Sequence, residues 1–141
     1  MTGDFRRSSH CAGLLALLLL AGCGGSSELV TATGTVLLDG EPLAGVVVEF
    51  QPVSDTGSTA SFGLTGADGR YHLMRTAFES GIAPGEYLVR IYCEAEAGGV
   101  DCRDADESRV EIPDRYQTFS ELRVTVENRR RNRLDFELTT P

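Results

Sequence analysis

From residue 29 onward, apolar and polar side chains alternate in short runs. Val30, Ala32, Gly34, Val36 and Leu38 fall on one face, with Thr31, Thr33 and Thr35 on the other. The same period of two recurs in Val46, Val48 and Phe50, in Ala60, Phe62 and Leu64, in Tyr71 and Leu73, and in Tyr87, Val89 and Ile91. It recurs twice more, in Leu122, Val124 and Val126 and in Leu134, Phe136 and Leu138. Side chains of an extended strand point alternately to its two faces, so each run reads as a half-buried strand. Asp39-Gly40 and Asp68-Gly69 lie between runs, where a tight turn needs a residue that tolerates φ > 0. No stretch beyond residue 29 sustains a 3.6-residue apolar period. Seven such strands in about 110 residues predict an all-β, seven-stranded antiparallel β-sandwich with one core.

The N-terminal part obeys a different pattern. Arg6 and Arg7 precede an unbroken apolar run over residues 12–20, which ends in Leu20-Ala21-Gly22-Cys23. Nine apolar residues fall far short of the ~20 that span a hydrocarbon core. A basic n-region, an apolar h-region and small residues before the break are the parts of a cleavable signal peptide. Cys23 directly after Leu-Ala-Gly separates this segment from an ordinary secretory signal. The tetrapeptide resembles the lipobox of bacterial lipoproteins. That resemblance implies removal of residues 1–22, a diacylglyceryl group on the Cys23 thiol and an acylated amine. Gly24 rather than Asp follows Cys23, which by analogy with lipoprotein sorting favours the outer membrane. Residues 23–29 are then the lipidated Cys and a Gly/Ser linker, and residues 30–141 the domain. Five or six linker residues reach ~20 Å at most, so the domain is expected to work close to a bilayer.

Charge narrows the choice of partners. The chain carries a net −8, and loss of residues 1–22 would leave 11 basic against 20 acidic residues. An acidic domain outside the cytoplasm argues against nucleic acid. All 13 basic residues are Arg, which reads as coding bias. His72 is the one histidine beyond the signal segment, so histidine-based metal or catalytic clusters lack material.

The strand pattern also carries a family resemblance. Gly34-Thr35-Val36-Leu37-Leu38-Asp39-Gly40-Glu41-Pro42-Leu43-Ala44-Gly45 resembles the opening of the carboxypeptidase regulatory-like domain, a transthyretin-like sandwich. Thr65-Gly66-Ala67-Asp68-Gly69-Arg70-Tyr71 and Ala83-Pro84-Gly85-Glu86-Tyr87 continue it, and the tail from Ile112 to Leu138 resembles small lipoproteins of planctomycete-type bacteria. The resemblance covers residues 30–139. It implies a non-catalytic module, since in carboxypeptidases this domain is not the part that cleaves peptides.

Two features stand outside that pattern. Residues 94–108 form an acidic stretch, and Cys93 and Cys102 flank its first half. An exported protein makes these two cysteines a candidate disulfide; the alternative is two free thiols with Cys93 buried. Residues 128–133 read Asn-Arg-Arg-Arg-Asn-Arg between the last two strands, where a hairpin tip is expected. Arg129, Arg130, Arg131 and Arg133 form either a solvated turn or a contact patch for an anionic partner such as lipopolysaccharide, an acidic glycan or the acidic stretch of a second copy.

The chain contains no Gly-x-Ser-x-Gly, no phosphate-binding glycine loop and no Cys-x-x-Cys. Asp68-Gly69 lacks the alternating oxygen ligands and distal Glu of an EF-hand and reads as a turn. No cofactor and no metal are expected. The sequence therefore points to a lipid-anchored envelope protein, non-enzymatic, whose domain is a structural or protein-interaction module. The alternative is a carbohydrate-binding module, testable by whether Tyr92, Tyr116 and Phe119 share one exposed face.

Overall fold

A computed structural model describes residues 28–54, 57–93, 102 and 110–141. Cys23 and all of the acidic stretch except Cys102 lie outside these residues. The described chain is mostly β. Its strands are β1 (Thr31–Leu38), β2 (Glu41–Pro42), β3 (Val47–Pro52), β4 (Ser61–Leu64), β5 (Arg70–His72), β6 (Met74–Thr76), β7 (Glu79–Ser80) and β8 (Gly85–Tyr92). A 3-10 turn at Asp114–Tyr116 precedes β9 (Arg123–Val126), β10 (Arg131–Arg133) and β11 (Phe136–Leu138).

The strands form two sheets. In one, β1 is central, flanked by β2 and β5 and by β10 and β11; the other runs β7-β6-β4-β3-β8-β9. Each of the seven expected runs overlaps one of these strands, but the described residues hold eleven strands and not seven. Four short segments, β2, β6, β7 and β10, pair in addition. The expected all-antiparallel order needs a correction: β1 pairs in parallel with β10, Thr31 opposite Arg131, and with β11, Val36 opposite Phe136. The long return from the six-stranded sheet delivers these last strands to β1 in the same direction as β1. A local period of two carries no information about that direction.

The core lies between the sheets. Val36, Tyr71, Phe136 and Leu138 from the first meet Val48, Phe50, Tyr87, Val89 and Ile91 from the second, all buried. Phe50 is the centre of this contact, with ring centroids 6.0–6.4 Å from Tyr87, Phe136 and Tyr71. These are the offsets and tilts at which aromatic quadrupoles attract. Tyr71 and Tyr87 keep their hydroxyls satisfied by donating to the carbonyls of Leu134 and Ala83. Asp39 (φ 50°) and Gly40 (φ 88°) make the β1–β2 turn in the left-handed backbone expected of Asp-Gly.

The arginine run is not a hairpin tip. β9 belongs to the six-stranded sheet and β10 pairs with β1, so residues 127–130 cross from one sheet to the other. Arg131–Arg133 is itself a strand, held by buried Asn132. The Asn132 side chain accepts from the Glu127 N–H and donates to the Glu127 and Arg129 carbonyls, which pins the crossing.

Candidate functional site

The clearest surface feature comes from β4. In that strand the apolar residues face away from the core: Phe62 is 42 % and Leu64 is 62 % exposed, while Ser61 and Thr65 are buried. The inward positions are small or hydrogen-bonded for specific reasons. A Cβ on Gly63 would lie 2.9 Å from the Tyr71 ring and 2.8 Å from the His72 carbonyl oxygen. Thr65 Oγ1 accepts from the Val46 N–H at 3.0 Å, and Ser61 Oγ donates to the Gly81 carbonyl. The strand thus fits the core through its small and hydroxyl-bearing face, and its large apolar side chains are left outside.

Neighbouring strands extend that outer face. Val47 stands opposite Leu64 on one side and Tyr92 on the other, and Phe62 stands opposite Met74. Together with His72 they line a shallow groove of about 400 Å³. A polar strip borders it. Glu49 pairs across the strands with both Phe62 and Arg90, is nearly buried, and accepts from Gln51 Nε2 at 2.8 Å. Arg90 Nε is buried and has no hydrogen-bond partner among the described residues. The groove offers apolar contact and shape. Among the described residues no three His, Cys, Asp or Glu side chains gather as metal ligands.

Of the three aromatics named as a possible glycan platform, one, Tyr92, lines this groove. Tyr116 is engaged elsewhere: its hydroxyl accepts from the Thr139 N–H, and the Arg115 guanidinium lies 4.7 Å from its ring centre. These bonds from Thr139 and Arg115 lower the Tyr116 phenol's pKa. Phe119 is 72 % exposed and does not line the groove.

Cys93 and Cys102 stand as a disulfide, Cα atoms 5.7 Å apart, at the end of β8. Cys102 is buried against the core and its Sγ contacts the Gly45 carbonyl. The arginine patch is split. Arg129 pairs with Glu127 at 3.1 Å and Arg133 with Asp135 at 2.8 Å. Arg129 and Arg130 border a depression beside Glu28, whereas Arg133 borders a different one with Arg70 and Tyr71. The groove was missed by sequence reasoning because Phe62 and Leu64 alternate as core residues do. Gly63 beside them was the available signal, since glycine inside a strand often marks close backbone approach.

No family model matches the chain, and no curated protein matches it. Among solved structures, a 9R-lipoxygenase from Cyanothece PCC8801 is similar over 80 % of this chain and 16 % of its own, at 19 % identity and a TM-score of 0.36. The chain therefore spans about one sixth of the lipoxygenase it aligns with.

Proposed function

We propose that this chain is a lipid-anchored protein of the cell envelope whose domain is a non-catalytic, carboxypeptidase regulatory-like β-sandwich serving as a protein-interaction module. On this reading residues 1–22 are removed as a lipoprotein signal peptide, Cys23 carries the lipid, and the outer membrane is the favoured location. The Cys93–Cys102 disulfide fits an oxidising compartment outside the cytoplasm.

The observation that carries the interaction role is the outer face of the six-stranded sheet. Val47, Phe62, Leu64, Met74 and Tyr92 form a contiguous apolar groove there, rimmed by Glu49 and Arg90. An apolar centre with a polar rim is how protein-binding surfaces are built. A glycan reading draws on Tyr92 alone, because Tyr116 and Phe119 lie outside the groove.

The test is a photo-crosslinking residue introduced at Leu64 in the full chain, compared with one at Thr35 on the other sheet. Irradiation in the native envelope is expected to give a discrete protein adduct from position 64 and none from position 35. Absence of any adduct at position 64, or adducts with polysaccharide alone, would sink the interaction role.

A further inference from the structure

The two ends of the domain differ in chemistry. Taking β1 to run upward from Thr31, the lower end is where the chain enters at Glu28. On one side of β1, Arg131 stands opposite Thr31, whose N–H donates to the Arg130 carbonyl at 3.1 Å. On the other side β5 runs downward, His72 opposite Thr33, and Leu73 N–H bonds to the Ala32 carbonyl. The chain then continues downward through β6 and returns through β7, so the Ala77-Phe78 tip projects from the entry end. The base of this hairpin touches the entering segment: Val30 bridges Ile82, and a Cβ on Gly81 would lie 3.2 Å from Leu29 Cβ.

Phe78 is 99 % exposed at that tip. Hairpin tips are normally Gly, Asn, Asp or Ser, each for a backbone or hydrogen-bonding reason that Phe does not share. Val53, 43 % exposed, lies at the same end, its N–H bonded to the Glu86 carbonyl near the start of β8.

Among the described residues at this end, acidic and basic side chains are balanced. Glu79 and Glu127 pair with Arg75 and Arg129, and Glu28 and Glu86 stand against Arg130 and Arg131, which are exposed and form no ion pair among the described residues. At the upper end Asp68 pairs with Arg70, and Asp39 is bonded to Thr140 and feels the charge of Arg115.

We propose that the lower end is a membrane-facing foot. Phe78 enters the headgroup layer of a phospholipid bilayer, and Arg130 and Arg131 meet lipid phosphates. The inference rests on the anchor reading of Cys23. Cys23 is five positions before Glu28, which holds the lower end within ~18 Å of the lipidated residue. Aromatic rings settle at the headgroup level, and guanidinium groups bind phosphate through paired N–H donors.

The chain has no Trp, so one introduced at the tip reports only its own surroundings. The experiment uses the full chain, processed and reconstituted in phosphatidylethanolamine–phosphatidylglycerol vesicles, with Cys23 acylation read by mass. Phe78→Trp is expected to show blue-shifted emission that brominated acyl chains quench. Glu41→Trp, at the upper end, keeps solvent-like emission. Adding Arg130→Ser and Arg131→Ser to Phe78→Trp reduces the quenching. An acylated Phe78→Trp protein with unshifted, unquenched emission overturns the foot and leaves the anchor standing, and equal quenching of both reporters overturns it as well. Quenching of Phe78→Trp alone without acylated Cys23 supports the foot and overturns the anchor. A chain neither acylated nor quenched overturns both.

Discussion

The backbone of Gly34 packs directly on the backbone of Leu134: a Cβ on Gly34 would lie 1.8 Å from the Leu134 carbonyl oxygen. Tyr71 donates its hydroxyl to the same carbonyl, and Leu134 N–H donates to the Thr33 carbonyl. The junction between β10 and β11 is thereby seated on the middle of β1, and any side chain at position 34 must push it away. Gly34→Ala is expected to destabilise the domain at the upper end of the ~1–3 kcal/mol that overpacking costs, or beyond, because backbone and not a movable side chain is displaced. Urea unfolding measures it. A Gly34→Ala midpoint equal to that of the parent would show that the strand junction is not held as described.

The Tyr71 phenol is held neutral well above the usual tyrosine range, chiefly by burial and further by the nearby Asp135 carboxylate. Burial also raises Tyr87, while hydrogen bonds from Thr139 and Arg115 lower Tyr116. A phenol whose folded pKa is raised contributes stability that is complete below the unfolded value, ~10, and is lost as pH climbs toward the folded value. In a phenolate absorbance titration, Tyr116 should ionise before Tyr87, and Tyr71 only together with unfolding at high pH. Tyr71→Phe should remove the unfolding-linked step and cost about 1–2 kcal/mol at neutral pH through the lost hydroxyl bond. Simultaneous titration of Tyr71, Tyr87 and Tyr116 without unfolding would contradict the buried placement.

Asp39 at the β1–β2 turn clasps the tail. Its carboxylate accepts from the Thr140 N–H at 3.0 Å and from the Thr140 hydroxyl at 2.7 Å, and these bonds lower its pKa below the ordinary carboxylate range. A depressed carboxyl contributes above the unfolded value, ~3.9, and its contribution disappears as pH falls through the folded value. The tail should therefore stay docked at pH 5 and come free only in stronger acid. The Thr140 amide, followed by NMR or hydrogen exchange, checks this. Asp39→Ala should release the tail at all pH values, while Asp39→Asn, which also tolerates the left-handed backbone, retains part of the clasp.

The Cys93–Cys102 bridge closes a loop of about ten residues, which in the chain-entropy model stabilises by ~2.5–3 kcal/mol. Cys102 is buried as well, so its replacement also removes packing. Denaturant unfolding with and without reductant should show a loss of this size for the parent. The Cys93→Ala/Cys102→Ala double variant should be insensitive to reductant. A parent whose midpoint does not move on reduction would show that the bridge contributes nothing.

The groove gives a prediction of near-neutral stability. Leu64 is mostly exposed, so Leu64→Glu should change unfolding free energy by no more than ~0.5 kcal/mol, while contact with a partner at that face is lost. Truncation of a core leucine to Ala costs ~2–5 kcal/mol, and a buried charge at such a site costs more. Calorimetry of the variant distinguishes an outward Leu64 from an inward one without knowledge of the partner.

Period-two alternation placed the strands, and Asp39-Gly40 and Asp68-Gly69 placed turns, because strand geometry and left-handed turn positions are local demands on the backbone. The inward faces of β1, β3, β5, β8 and β11 follow from the same alternation, since one face of each is clearly the more apolar. β4 is the exception, and only tertiary contact settles it. Phe62 and Leu64 form its more apolar face, yet Gly63 must face inward because the Tyr71 ring and His72 backbone occupy the space a side chain would need. The parallel pairing of β1 with the C-terminal strands and the division of the arginine run between two surfaces are likewise decided by contacts about a hundred residues apart in sequence. Alternation states which residues share a face. Which face a sheet buries, and which distant strand it pairs with, depends on the shape of what packs against it.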